Sequence, residues 1–103
     1  MSSVARHEDI GTGFCDNLEH PGSIPMVGVI IPGPAPSTKT IVEGKLVARV
    51  GDIVLGACGH IGIITTGSST MNAEGQPVAR VGDAFVGDFK GIITKGSSTT
   101  DVA

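Results

Sequence analysis

Val78-Ala79-Arg80-Val81-Gly82-Asp83 repeats Val47-Ala48-Arg49-Val50-Gly51-Asp52, and a worn copy opens the chain as Val4-Ala5-Arg6-His7-Glu8-Asp9. Three copies of one phrase in 103 residues mean that a single small supersecondary unit has been used three times. The units run over about 4–46, 47–77 and 78–103, within one domain. The fold this predicts is an all-β, pseudo-threefold object.

The register extends well beyond the phrase. Gly13, Gly56 and Gly87 each lie four residues after the Asp, and Cys15, Cys58 and Phe89 each lie six after it. A second triplet follows, Gly28-Val-Ile-Ile-Pro-Gly33, Gly62-Ile-Ile-Thr-Thr-Gly67 and Gly91-Ile-Ile-Thr-Lys-Gly96. After it come Pro36-Ser37-Thr38, Ser68-Ser69-Thr70 and Ser97-Ser98-Thr99.

Sixteen Gly and six Pro break every apolar run before it reaches helical length, and the surviving runs are rich in Val, Ile and Thr. With three Phe and no Trp or Tyr, aliphatic side chains must build the interior. A core that thin usually needs a staple such as a metal, a disulfide or a partner. The formal charge of −3 with dispersed Lys and Arg leaves no electrostatic footprint for nucleic acid. The N-terminus lacks a basic head and an apolar stretch, so the expectation is synthesis in the cytoplasm without a signal peptide. Cysteines in a reducing compartment, each near a His, point to a metal before a disulfide.

Each unit is expected to hold a strand over Val-Ala-Arg-Val, a turn at Gly-Asp and a loop carrying the Gly and Cys positions. A strand over Gly-Ile-Ile-Thr, a turn at Gly-Ser and a last strand at Lys39 to Val42 or Met71 to Ala73 complete it. Glu43-Gly44 and Glu74-Gly75 close those last strands, with Gly taking the positive φ of a hairpin turn. The Arg and Asp three apart, at Arg6/Asp9, Arg49/Asp52 and Arg80/Asp83, read either as a positioned ion pair or as an Arg bracketing its own turn. An exposed pair of this kind is worth roughly 0–1 kcal/mol.

The units differ where chemistry would sit. Thirteen residue steps separate Cys15 from Gly28 against four between Cys58 and Gly62, so unit one carries about nine extra residues, including His20-Pro21-Gly22. Unit three is two residues shorter than unit two at that place and has Phe89 where the others have Cys. Cys15-x4-His20 and Cys58-x-His60 therefore put thiols at equivalent positions, each with a His downstream in a loop. Such a set suits tetrahedral zinc, with thiolate at about 2.3 Å and imidazole at about 2.0–2.1 Å. His7 replaces the Val of the other copies and would point toward the axis, so five candidates, Cys15, Cys58, His20, His60 and His7, compete for four positions. A Cys15–Cys58 disulfide, requiring Cα atoms within about 7 Å, and buried Cys without metal are the plainer alternatives. A catalytic metal would keep one position open for water, with Glu19 or Glu8 as base.

The phrase, the following Gly-x-Ile-Ile-x-x-Gly-Ser-Ser-Thr and the copy number resemble the PAAR-repeat family over essentially the full chain. The name-giving Pro-Ala-Ala-Arg stands here as Pro77-Val78-Ala79-Arg80 and as Leu46-Val47-Ala48-Arg49. The resemblance implies a small cone of short strands with a structural zinc near its apex. Such a cone caps the trimeric VgrG-type spike of a type VI secretion system or the tail spike of a contractile phage. The ligands it implies are His7, His20 and His60 with one of Cys15 or Cys58, or both Cys with His20 and His60. His7-Glu8 departs from the family's Val-Gly, and the last unit closes soon after its Gly-Ser-Ser-Thr.

The resemblance further implies a non-enzymatic spike tip that aids membrane piercing, contacts the target membrane transiently and carries effector proteins. The monomer would sit on a trimer, each unit meeting one protomer, and leave the cell through the apparatus or remain in a virion tail. First and last units lie close to the chain ends, so no toxin domain of its own is expected. The strands Gly28–Ile31, Gly62–Ile64 and Gly91–Ile93 are candidates for a partner-facing base, or else plain core strands. A small zinc-dependent hydrolase and a free-standing metal-binding protein are the competing classes; the first needs an open metal position, the second weakly held zinc.

Overall fold

The opening phrase of each unit does not run as a strand. The computed structural model describes residues 2–15, 25–34, 40–42, 44–57, 59–97 and 101–102. In it, each copy makes single bridges to the other two: Val4 with Arg80, Arg6 with Val47, and Arg49 with Val78. The Ala5 N–H donates to Ala79 O at 2.9 Å, Ala79 N–H to Ala48 O at 2.9 Å, and Ala48 N–H to Ala5 O at 3.0 Å, closing a ring. Two residues along, the N–H groups of His7, Val50 and Val81 donate to the carbonyls of Leu46, Pro77 and Ser3. A segment whose neighbour changes from one residue to the next cannot extend a ladder, so the expected strands shrink to bridges.

Every copy then turns at its Asp. The carboxylate accepts from the backbone N–H of the Arg three residues earlier, at 2.9 Å for Asp9, 2.9 Å for Asp52 and 2.7 Å for Asp83. Gly51 and Gly82 sit at φ 100° and 96° in these turns, and Glu8 takes the same left-handed region at 75°. A side chain there is unfavourable by about 1–2 kcal/mol.

The chain order is β1 Ser2–Ser3, β2 Ile10–Cys15, β3 Pro25–Ile31, β4 Ile41–Val42, β5 Lys45–Leu46 and β6 Ile53–Gly56. It continues with β7 Ile61–Ile64, β8 Asn72–Ala73, β9 Gln76–Pro77, β10 Ala84–Gly87, β11 Phe89–Ile93 and β12 Asp101–Val102. Among the described residues there is no helix. Strands β2/β3, β6/β7 and β10/β11 form antiparallel hairpins that join into a closed barrel in the order β10-β11-β2-β3-β6-β7. The segments after each Asp, expected as loops, are thus the strands β2, β6 and β10. Their glycines suggest loop, but in a narrow barrel glycine at an inward position is what lets a ring fit.

Two of the three phenylalanines fill that interior: Phe85 and Phe89 are buried, their ring centroids 5.1 Å apart. A Cβ on Gly28 would come within 2.5 Å of the Phe89 ring, and one on Gly56 within 2.9 Å. Ile30, Ile64 and Ile93, one per unit, pack against the rings together with Ala5, Ala48 and Ala79. The strands proposed as a partner base are therefore barrel wall. Alternation sends Ile30, Ile64 and Ile93 inward and leaves Ile63 and Ile92 about half exposed at 48% and 50%.

A second, smaller core lies beyond the ring, built from Val4, Val47 and Val78 with Val42 and Ala73. It is covered by the two-residue ladders β4/β5 and β8/β9, while β12 returns to pair with β1. Gly44 at φ 82° closes the first ladder, and Glu74 and Gly75, at 52° and 91°, close the second as the primed turn that matches strand twist.

Candidate metal centre

At the barrel end far from the ring, alternation along β2 turns Gly11, Gly13 and Cys15 inward and Ile10, Thr12 and Phe14 outward. Cys15 is buried, and its partner across the ladder is Phe89 of β11. The β6–β7 connection is a tight turn in which Gly59 N–H donates to Gly56 O and Gly56 N–H to His60 O, both at 2.9 Å. Gly59 holds φ 89°, which fixes the turn. His60, emerging from it, puts Nδ1 3.1 Å from Cys15 Sγ.

The pairing crosses units: the thiol belongs to unit one and the imidazole to unit two. Both stand among the candidates that the sequence offers for one shared site. In a tetrahedral zinc site with ordinary bond lengths, a thiolate and an imidazole nitrogen stand about 3.5 Å apart. The observed contact is that of a hydrogen-bonded thiol and imidazole a few tenths of an ångström from such an edge, so these two residues fit two of the four positions. Cys58 and His20 lie outside the described residues, as does Glu19. Among the described residues no group of three or more His, Cys, Asp or Glu gathers anywhere.

His7 lies at the other end. β2 begins three residues after His7 and ends at Cys15; five strand steps of about 3.3 Å each carry the chain some 17 Å along the barrel. The His7 ring is buried, with Nε2 2.9 Å from Asp52 Oδ2, so it is drawn to a carboxylate in unit two and away from Cys15 and His60. Glu8, the other expected base, is at that same end.

The His7 contact rearranges the Arg–Asp pattern. Arg6 pairs with Asp9 at 2.8 Å and Arg80 with Asp83 at 2.9 Å, each through two nitrogens. The hydrogen bonds it donates to Asp83 raise the Arg80 guanidinium above its already high range, so it is a cation at any working pH. In unit two, with His7 on Asp52, the Arg49 guanidinium reaches the β8–β9 turn, donating to Ala73 O at 3.0 Å and Glu74 O at 3.1 Å. Both sequence readings of the pair hold: the carboxylate brackets the turn in all three units, and it also forms an ion pair in units one and three. The clue to the exception was His7 standing where the other units have Val50 and Val81. Phe89 was legible only as a missing Cys; nothing in the sequence said that its ring would plug the barrel.

Residues 23–86, more than half of the chain, match the family described as PAAR motif, and the chain belongs to that family. No curated protein matches it.

Proposed function

We propose that this chain is the tip of a spike: a pseudo-threefold cone that caps a trimeric VgrG-type protein of a type VI secretion system, or the corresponding tail spike of a contractile phage. Membership of a family of structural spike-tip proteins supports a mechanical role rather than an enzymatic one. The observation that carries the reading is the closed ring of Ala5, Ala48 and Ala79 hydrogen bonds. Three copies of one phrase meeting head to tail give a single chain three near-equivalent contact surfaces, which is what a threefold stem can accept from one monomer.

The barrel end far from the ring would be fastened by zinc. Cys15 and His60 already meet there, and Cys58 and His20, two residues before His60 and five after Cys15 in sequence, would complete four donors. Zinc held by four side chains has no vacant position for substrate and acts as a cross-link between units one and two. The chain would be made in the cytoplasm and leave with the spike. Among the described residues no helix is long and apolar enough to cross a membrane. Membrane piercing would then come from the driven spike and its hard point.

The test is the mass of the complex. Co-expressed with a trimeric spike protein from the same gene neighbourhood, the chain should appear in native mass spectrometry as one copy per spike trimer. Three copies per trimer, or no complex, would overturn the reading.

A further inference from the structure

The ring and the inward Ile30, Ile64 and Ile93 repeat in threes, but the outer wall does not. Between β3 and β6 lies a shallow groove of about 400 Å³, walled by Ile10, Val27, Val29, Leu55 and Ala57, with Glu8 at its rim. Val27 is 56% exposed, and the wall is otherwise uncharged. At the equivalent places on the other two walls, Gly51 and Gly82 replace Glu8, Ile61 and Lys90 replace Val27, and Asp88 and Phe14 replace Ala57. Only the slot between units one and two carries its carboxylate at the ring end; on the second wall the carboxylate, Asp88, stands at the opposite end.

Glu8 is costly where it stands. Its φ of 75° is the region that the other units fill with Gly51 and Gly82, and its side chain is exposed, held by no hydrogen bond or ion pair among the described residues. A strained residue whose side chain gives nothing to its own fold points to a role outside it.

We propose that this groove docks a segment of a cargo protein in which an aliphatic side chain is followed by Lys or Arg. The aliphatic group would fill the slot between Val27, Val29 and Leu55, and the cation would meet Glu8. Val27 and Val29 are two strand positions apart, about 7 Å, which matches the spacing of alternate side chains on an extended peptide. Charge complementarity favours a basic segment, since the chain as a whole carries −3. A threefold stem engages surfaces that repeat, whereas a cargo present once needs a feature that occurs once. The proposal takes the identity of the partner from the spike-tip reading, but the groove can be tested without any spike.

The experiment is a titration of the isolated full chain, followed by 15N–1H spectra, with the blocked hexapeptide Gly-Leu-Val-Leu-Lys-Gly and with its counterpart carrying Glu for Lys. The Lys peptide should shift the amides of Ile10, Val29, Leu55 and Ala57 and leave those of Ile63 and Ile92 in place; the Glu peptide should bind several-fold more weakly. Glu8→Gly should raise the melting temperature by about 2–6 °C and weaken the Lys peptide about fivefold. Glu8→Gln should weaken it equally without the rise in melting temperature. Equal binding of both peptides, shifts spread over all three walls, or full affinity in Glu8→Gly would overturn the proposal. So would groove resonances that respond to phosphatidylcholine bicelles but to neither peptide, which would assign the slot to lipid. Failure here leaves the one-per-trimer mass untouched.

Discussion

The two ends of the barrel are closed by different means. At one end backbone does the work: Ala5, Ala48 and Ala79 satisfy one another, the three Asp side chains hold their turns, and a second core of valines lies behind. At the other, unit three stops short at the Phe89 ring, and a side-chain contact between Cys15 and His60 joins units one and two beside the end of the β3–β6 ladder. An end knitted from main-chain amides needs no cofactor, because each donor has its acceptor inside the chain. An end closed by a thiol and an imidazole from separate units gains most from something that binds both, and zinc worth roughly 10–16 kcal/mol in small peptides is of the right size.

Removing the proposed zinc with a strong chelator should have the largest effect. It should lower the melting temperature by on the order of 15 °C or more, since 1 kcal/mol moves a domain of this size by about 4–8 °C. Calorimetry would read this, and Cys15→Ala or His60→Ala should match it. Next in size is Phe89→Ala, which empties the interior beneath Cys15 and should destabilise by about 3–5 kcal/mol in urea unfolding. At the opposite end, His7→Val restores the repeat consensus but takes a hydrogen bond from the buried Asp52, and should cost about 1–3 kcal/mol by the same measurement. It should not alter metal content, measured by mass spectrometry of the metal; a loss of metal would move His7 back among the ligands and erase the contrast between the ends. The smallest effect is a gain: Glu8→Gly relieves a left-handed backbone and should stabilise by about 0.5–1 kcal/mol after the extra freedom of the unfolded glycine is deducted.

Turn chemistry was the most legible part of the sequence. Gly51-Asp52, Gly82-Asp83 and Glu74-Gly75 announced their geometry because a positive φ leaves few residue choices, and the structure places turns at each. The all-β class followed from broken apolar runs. The strands β2, β6 and β10 were hidden because Gly11, Gly13 and Gly56 look like loop residues one at a time; the Phe85 ring against Gly11, the Phe89 ring against Gly56 and the Lys90–Gly91 backbone against Gly13, all arriving from another unit, give them a reason. Cys15 and His60 stood among the candidates for one site by residue type, but the contact of His7 with Asp52 was invisible: spacing along a chain reports neighbours within a unit, and a closed barrel sets its partners by closure. The replacement of Val by His at position 7 could be seen, but not the direction in which its ring would turn.

Amide hydrogen exchange on the purified protein, before and after chelation, examines the contrast between the ends most directly. Chelation should expose the amides of Gly56 and Ala57, beside the Cys15–His60 contact, while those of Ala5, Ala48 and Ala79 keep their protection. Equal loss at both ends, or no change at either, would contradict the view that backbone secures one end and a metal the other.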